Sequence, residues 1–339
     1  MSFIGDIQKF KSLSIVGLEK NTGKTVCLNY ILDRLPLSCK VAVTSIGIDG
    51  ESKDQVTGTA KPEIILKEGT IFSTSEVFYA RRNVLSELLE ITSERSSLGR
   101  IVTARVIRSG KVLLSGPSSA QSLARWSDGV KKFEPDLTIV DGALSRLSSA
   151  SPVVSESLVL TTGAAYSVDM ATLVRRTKFI VELVRLERAD DTVCQKFEGL
   201  EKGVWGMDEQ GNLIDFHVES SLAIDKIKDN LTERSVAVYV AGALTDRFLG
   251  LVSDSKRIRE IDLVVTDFTK IFVSEESYRL FLKKGGRIKV LRSSKLIAVC
   301  VNPVSPRGFV LDSDLLCKNI HQAVGVPVYD IVKNSGAEC

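Results

Sequence analysis

The sequence predicts an α/β protein: a parallel sheet covered on both faces by helices, followed by a second, smaller α/β domain. Three observations predict it. Short aliphatic or β-branched runs recur at 13–17, 40–46, 111–114, 137–140 and 157–160, with helical patterns between them. Strands alternating with helices are joined by crossovers, which makes neighbouring strands parallel and buries both faces. The first strand opens directly into a glycine-rich loop and a helix, and near residues 202–216 the pattern changes to two short extended runs about a Gly-Asn turn.

The first run, Ser12 to Val16, enters Gly-Leu-Glu-Lys-Asn-Thr-Gly-Lys-Thr, residues Gly17 to Thr25, and the helix continues as Val-Cys-Leu-Asn-Tyr-Ile-Leu. A strand, a glycine-rich turn and a helix opening on Gly-Lys-Thr form the context of a phosphate-binding loop. The glycines let backbone N–H groups turn toward phosphate oxygens, and the helix N-terminus adds its positive end. Gly17, Lys20, Asn21, Thr22, Gly23, Lys24 and Thr25 are the expected nucleotide-binding residues, with Lys24 supplying charge and Thr25 a hydroxyl for Mg²⁺. The spacing between Gly17 and Gly23 is one residue longer than the strict phosphate-loop pattern.

A second apolar run ends Thr-Ile-Val-Asp-Gly-Ala, which puts Asp141 at the carboxyl edge of the sheet, where an acid can hold Mg²⁺ directly or through water. After the run at 40–46 comes Gly-Ile-Asp-Gly-Glu, where Asp49, Glu51 and Asp54 bring three carboxylates close together. Such a group suits Mg²⁺ or an attacking water. Lys24, Asp49 and Asp141 are the candidate catalytic residues, and Thr25, Asp49, Glu51 and Asp141 the candidate metal ligands. Ser115-Gly-Pro-Ser-Ser and the Thr161–Asp169 loop are weaker candidates for lining the site, as are Arg105 and Arg146 for charge stabilisation. His217 and His321 show no partner spacing and read as structural.

The most distinct helix covers 170–186, with Leu173, Thr177, Ile180, Val181 and Val184 on one face. The extended pair at 202–216 reads as a hairpin at a boundary, dividing the chain into a nucleotide-binding domain, 1–202, and a smaller α/β docking or regulatory domain, 203–339. Strands are expected there at 236–240, 263–265, 288–291 and 297–301.

Composition narrows the function classes. With 45 Lys and Arg against 42 Asp and Glu the net charge is only +3 and the charges are scattered, so no nucleic-acid footprint is expected. No apolar run approaches the roughly 20 residues of a membrane span, and no leader pattern opens the chain, so a cytoplasmic location is expected. The six cysteines are widely spaced with two histidines, which disfavours a thiolate or imidazole metal site.

The loop Gly17–Thr25 is similar to that of dethiobiotin synthetase and the cobyrinic acid diamide synthases, and Asp141-Gly-Ala resembles their Glu-Gly-Ala element, with Asp in place of Glu and Leu144 in place of a second Gly. Lys20 is similar to the extra lysine of deviant Walker motifs, which in some members reaches a nucleotide across a dimer interface and allows a homodimer here. Together with Thr44–Glu51, Asp54–Ile64, Leu98–Arg100, Val140–Arg146 and Val240–Asp246, these phrases resemble the reactivase subunit associated with adenosylcobalamin-dependent lysine 5,6-aminomutase. That resemblance implies a P-loop NTPase fold and an ATP- and Mg²⁺-dependent subunit. Its partners would be the mutase and a MutS-like ATPase, with which it exchanges damaged cobalamin for fresh cofactor. The competing reading is an ATP-dependent, carboxylate-activating ligase of the synthetase type. Glutamine-dependent chemistry is disfavoured, because Cys300 lies in an apolar strand-like run and not at a glycine-flanked elbow. A third reading is a nucleotide-binding scaffold with little or no turnover.

Overall fold

The structure is a computed structural model that describes residues 3–46, 48–49, 63–96, 98–117, 119–143, 151, 155–218 and 231–335. It divides into two compact units, residues 1–181 with 294–339, and residues 182–293.

The larger unit is organised by a sheet of ten strands among the described residues. In chain order they are β1 (Ser12–Gly17), β2 (Val41–Ser45), β3 (Ile64–Leu66), β4 (Ile71–Ser75), β5 (Asn83–Ser96), β6 (Gly99–Val112), β7 (Leu137–Ala143), β8 (Ser157–Gly163), β9 (Lys295–Asn302) and β10 (Val328–Asp330). Across the sheet they run β10-β9-β8-β1-β7-β2-β4-β6-β3, with β5 on β6. From β10 to β4 every pairing is parallel. The pairings of β6 with β4, β3 and β5 are antiparallel.

Residues in β1, β2, β7 and β8 are almost all buried, as continuous apolar runs in a doubly covered sheet require. The two faces separate along β2 and β7. Val41, Val43 and Ile139 join a core with Cys27, Leu28, Ile31 and Leu32 of helix α1 (Lys24–Arg34). Ala42 and Val140 join one with Leu123, Trp126 and Val130 of helix α2 (Ala120–Val130). Helix α3 spans Met170–Val184, two residues shorter than expected, and buries Leu173, Thr177, Val181 and Val184.

Two expectations need correction. The run at 111–114 is not one strand: Lys111 and Val112 end the long β6, whose hairpin with β5 the sequence reading did not anticipate, and Leu114 opens a separate two-residue strand with Ser115. Glu87, Glu90, Arg105 and other polar side chains interrupt its apolar positions, and bulges shift its register, so no clean period of two survives. The boundary at 202/203 also differs from the compact units. The chain enters the smaller unit at residue 182 and leaves it at 293. Its last strands, β9 and β10, then complete the large sheet. The run at 297–301 is a strand as expected, but an apolar strand does not state which sheet receives it.

Residues 182–293 hold a five-stranded sheet in the order Leu213–Asp215, Val204–Met207, Ala237–Val240, Asp262–Val265, Arg287–Val290. The first two strands are the expected hairpin, antiparallel with Trp205 opposite Asp215. The last three are parallel to one another. Phe197 and Tyr239 stack at 5.0 Å between ring centroids within this unit's core. Among the described residues no helix is long and apolar enough to cross a membrane.

Candidate phosphate-binding site

Strand β1 lies between β8 and β7 and ends at Gly17, in register with Thr161 on one side and Ala143 on the other. The chain then leaves the sheet at its carboxyl edge. The Leu18 N–H donates to the Thr161 carbonyl at 2.9 Å, and the Thr22 hydroxyl donates to the Glu19 carbonyl at 2.9 Å while meeting the Thr161 hydroxyl at 2.9 Å. These contacts fold the loop back over its own start. A Cβ on Gly17 would stand 2.7 Å from Thr22 Oγ1 and 3.0 Å from Lys24 Cγ, so only glycine fits there without a shift.

Asn21 and Gly23 both adopt left-handed backbone, at φ 62° and 94°. Asparagine tolerates that region better than most residues and glycine without penalty. The chain thereby turns into α1, which opens at Lys24, and the Gly23 carbonyl accepts from the Cys27 N–H at 2.9 Å. The first amides of a helix have no intrahelical partner, so a glycine-rich turn into a helix N-terminus is an anion-binding arrangement.

Lys24 reaches across to β7, where its Nζ donates to Asp141 Oδ1 at 2.7 Å. The Asp141 side chain is 0% exposed and that of Lys24 is 14% exposed. Asp141 lies in register with Ile15 of β1 and Ser45 of β2, so the sheet itself holds the carboxylate beside the loop. Its carbonyl accepts from the Ile46 N–H at 3.0 Å.

The structure thus brings Gly17, Asn21, Thr22, Gly23, Lys24, Thr25 and Asp141 to one place. Lys20 belongs to the same loop but is exposed, and its N–H donates to Glu19 Oε1 at 2.9 Å. The backbone of Asp49 pairs with Leu114, and its side chain lies outside what the structure describes. Glu51, Asp54, Leu144 and Arg146 lie outside the described residues.

Ser115 and Gly116 pass the end of β2. The Gly116 N–H donates to the Ser45 carbonyl at 3.0 Å, and a Cβ on Gly116 would stand 2.2 Å from both that oxygen and Thr44 Oγ1. Arg105 is not part of the site: it lies on β6, with β7, β2 and β4 between that strand and β1, and pairs with Glu87 at 3.2 Å. His217 is exposed beside Asp215, while His321 Nδ1 is 2.7 Å from the Val326 carbonyl. Cys300 is buried with its sulfur 3.7 Å from that of Cys27, and burial first, then the Cys27 thiol, pushes its thiol well above the ordinary range. That is the environment of an unreactive thiol.

One residue beside the loop was missed by sequence reasoning. Asn302, at the end of β9, donates from Nδ2 to the Asn21 carbonyl at 3.0 Å. The available signal was an asparagine closing an apolar run before proline, Cys-Val-Asn-Pro, at the strand end where ligands of open α/β sheets gather.

The donor set fits a Mg²⁺–polyphosphate group. One lysine, one carboxylate, one helix-opening threonine and a turn of backbone amides match phosphates that themselves supply most of the ion's oxygens. Among the described residues no group of three or more His, Cys, Asp or Glu side chains converges as a self-sufficient metal cage. No family model, no curated protein and no solved structure matches the chain.

Proposed function

We propose that the chain is a P-loop ATPase that binds MgATP at Gly17–Thr25 and acts as the nucleotide-dependent subunit of a reactivating chaperone. Its client is a cobalamin-dependent aminomutase, its second partner a MutS-like ATPase, and its location cytoplasmic. The observation that carries the nucleotide reading is the Lys24–Asp141 contact, which joins the loop to the carboxyl end of a neighbouring parallel strand across 117 positions of sequence. An isolated glycine-rich turn has no reason to be met there by a buried acid.

In this reading Lys24 and the loop amides hold the β- and γ-phosphates, and Thr25 and Asp141 hold the ion or its waters. Bound Mg²⁺ supplies charge neutralisation at the phosphates. Lys24 then exchanges its carboxylate partner for phosphate oxygens, which couples nucleotide arrival to the contact between α1 and β7. A ligand moves a conformational equilibrium only by its differential affinity for the two states, and a shift from 1:99 to 99:1 takes about 5.5 kcal/mol. The reactivase assignment rests on the resemblance of the phrases at Gly17–Thr25, Thr44–Glu51 and Val140–Arg146.

The turn at Ser115–Gly116, packed on Thr44 and Ser45 beside the Asp141 strand, favours one second reading: a ligase holding a substrate carboxylate next to the γ-phosphate. Reactivation separates the two. Inactivated mutase should recover only with this protein, the MutS-like partner, ATP, Mg²⁺ and fresh adenosylcobalamin together. Equal recovery without this chain, or with Lys24→Ala, refutes the chaperone reading. Acyl phosphate trapped from a carboxylic acid by hydroxylamine in the absence of any mutase supports the ligase.

A further inference from the structure

We propose that Asn302 is a positioning residue for the phosphate loop, setting the direction of the Asn21–Thr22 peptide from a strand remote in sequence. The inference rests on the nucleotide reading of the loop and adds a part to it. The Asn302 carboxamide donates from Nδ2 to the Asn21 carbonyl at 3.0 Å, across 281 positions of sequence. Asn21 is the non-glycine residue of the loop with left-handed backbone, at φ 62°.

In a trans peptide the carbonyl and the following N–H point in opposite directions. Holding the Asn21 carbonyl toward β9 therefore turns the Thr22 N–H away from it. In a phosphate loop the direction of each amide is the binding property, so a residue that fixes one peptide plane acts on affinity without touching the ligand.

Asn302 is itself held on three sides. Its Oδ1 accepts from the Val304 N–H at 3.1 Å, and its carbonyl accepts from the Ala164 N–H at 2.9 Å. Gly163 lies so close that a Cβ there would stand 1.9 Å from the Asn302 carbonyl oxygen. Gly23, the other left-handed residue of the loop, meets the same side chain: its Cβ would be 3.4 Å from that of Asn302. An amide whose oxygen is already engaged by its own backbone presents its NH₂ group in one direction. Here that direction is the loop.

The test is equilibrium titration of the full chain and of Asn302→Ala and Asn302→Asp with MgATP, with magnesium pyrophosphate and with adenosine. Loss of one neutral hydrogen bond should weaken pyrophosphate and ATP alike by about three- to tenfold. Asn302→Asp, which sets a carboxylate oxygen against the Asn21 carbonyl, should weaken both further. Adenosine affinity should not change. Unaltered pyrophosphate affinity in Asn302→Ala overturns the proposal, and loss confined to ATP and adenosine overturns it in favour of a base contact. If the unsubstituted chain binds neither pyrophosphate nor ATP, the nucleotide reading fails, and this proposal with it. Amide hydrogen exchange at Thr22, faster in Asn302→Ala while exchange in β9 is unchanged, separates positioning from general loosening.

Discussion

Replacing Lys24 by methionine should destabilise the ligand-free protein, because it leaves the Asp141 carboxylate in a fully buried position without its ammonium partner. At the observed 2.7 Å and an effective dielectric constant of about 20, the gross attraction is about 6 kcal/mol, much of it offset by the desolvation of both groups. Breaking a buried pair from one side typically costs about 3–5 kcal/mol. With the Lys24 side chain 14% exposed, the lower end applies, about 3 kcal/mol. Adding Asp141→Asn removes the stranded charge, so the double variant should recover about 2 kcal/mol of the loss. Urea unfolding followed by tryptophan fluorescence measures this, and a Trp205→Phe background leaves Trp126, in the core under α2, as the reporter of the larger unit. The deficit should persist in about 0.5 M KCl, where exposed pairs are screened. A single variant as stable as the parent, or a double variant as unstable as the single, would show that the pair does not balance a buried charge.

The other expectations follow from packing and titration. Gly163→Ala should cost about 1–3 kcal/mol in the same assay and weaken pyrophosphate binding, since the new methyl can be seated only by parting β8 from Asn302. Burial alone would raise the Asp262 carboxyl, but hydrogen bonds from Lys289 at 2.8 Å and Arg287 at 2.5 Å, with their charges, hold it below the ordinary value. Its contribution is therefore complete above the ordinary value of 3.8 and lost as pH falls through the lower folded-state value. Asp262→Asn should accordingly be less stable than the parent at pH 7, with the two converging in strong acid when Trp205 reports the smaller unit. In native protein, a thiol reagent should modify the half-buried Cys39 and Cys317 before Cys27 and Cys300, which should react only on unfolding. Early labelling of Cys300 would refute its placement inside β9.

What was legible in the sequence is what burial on two faces writes plainly. β1, β2, β7 and β8 are runs of aliphatic residues too short for helices, and Gly-Lys-Thr after the first of them marks a loop and a helix start. Asp141 was legible because it closes such a run. The hairpin of β5 and β6 was not, since Leu85, Leu88 and Ile91 stay exposed and its charged residues alternate irregularly through the bulges. Asn302 was hidden for another reason. Nothing in the run from Leu296 to Val301 states that it pairs with β8, so its terminal asparagine could not be connected to a loop near residue 21.

The placement of β9 has a consequence for how the protein is made. Ser155 and Ser294, which meet through a 3.0 Å hydrogen bond at the start of the β8–β9 pairing, are 139 positions apart. During synthesis, β8 must wait for the ribosome to complete the intervening unit before its outer edge is covered, and loops of that span close slowly. At about 5–20 residues per second the wait is on the order of 7–28 seconds, during which β8 presents open backbone groups. Until residue 302 has emerged, the loop at Gly17–Thr25 also lacks its outer brace. A nascent chain would thus carry the glycine-rich sequence long before it carried the finished turn, which ties completion of that turn to the emergence of a residue 281 positions downstream.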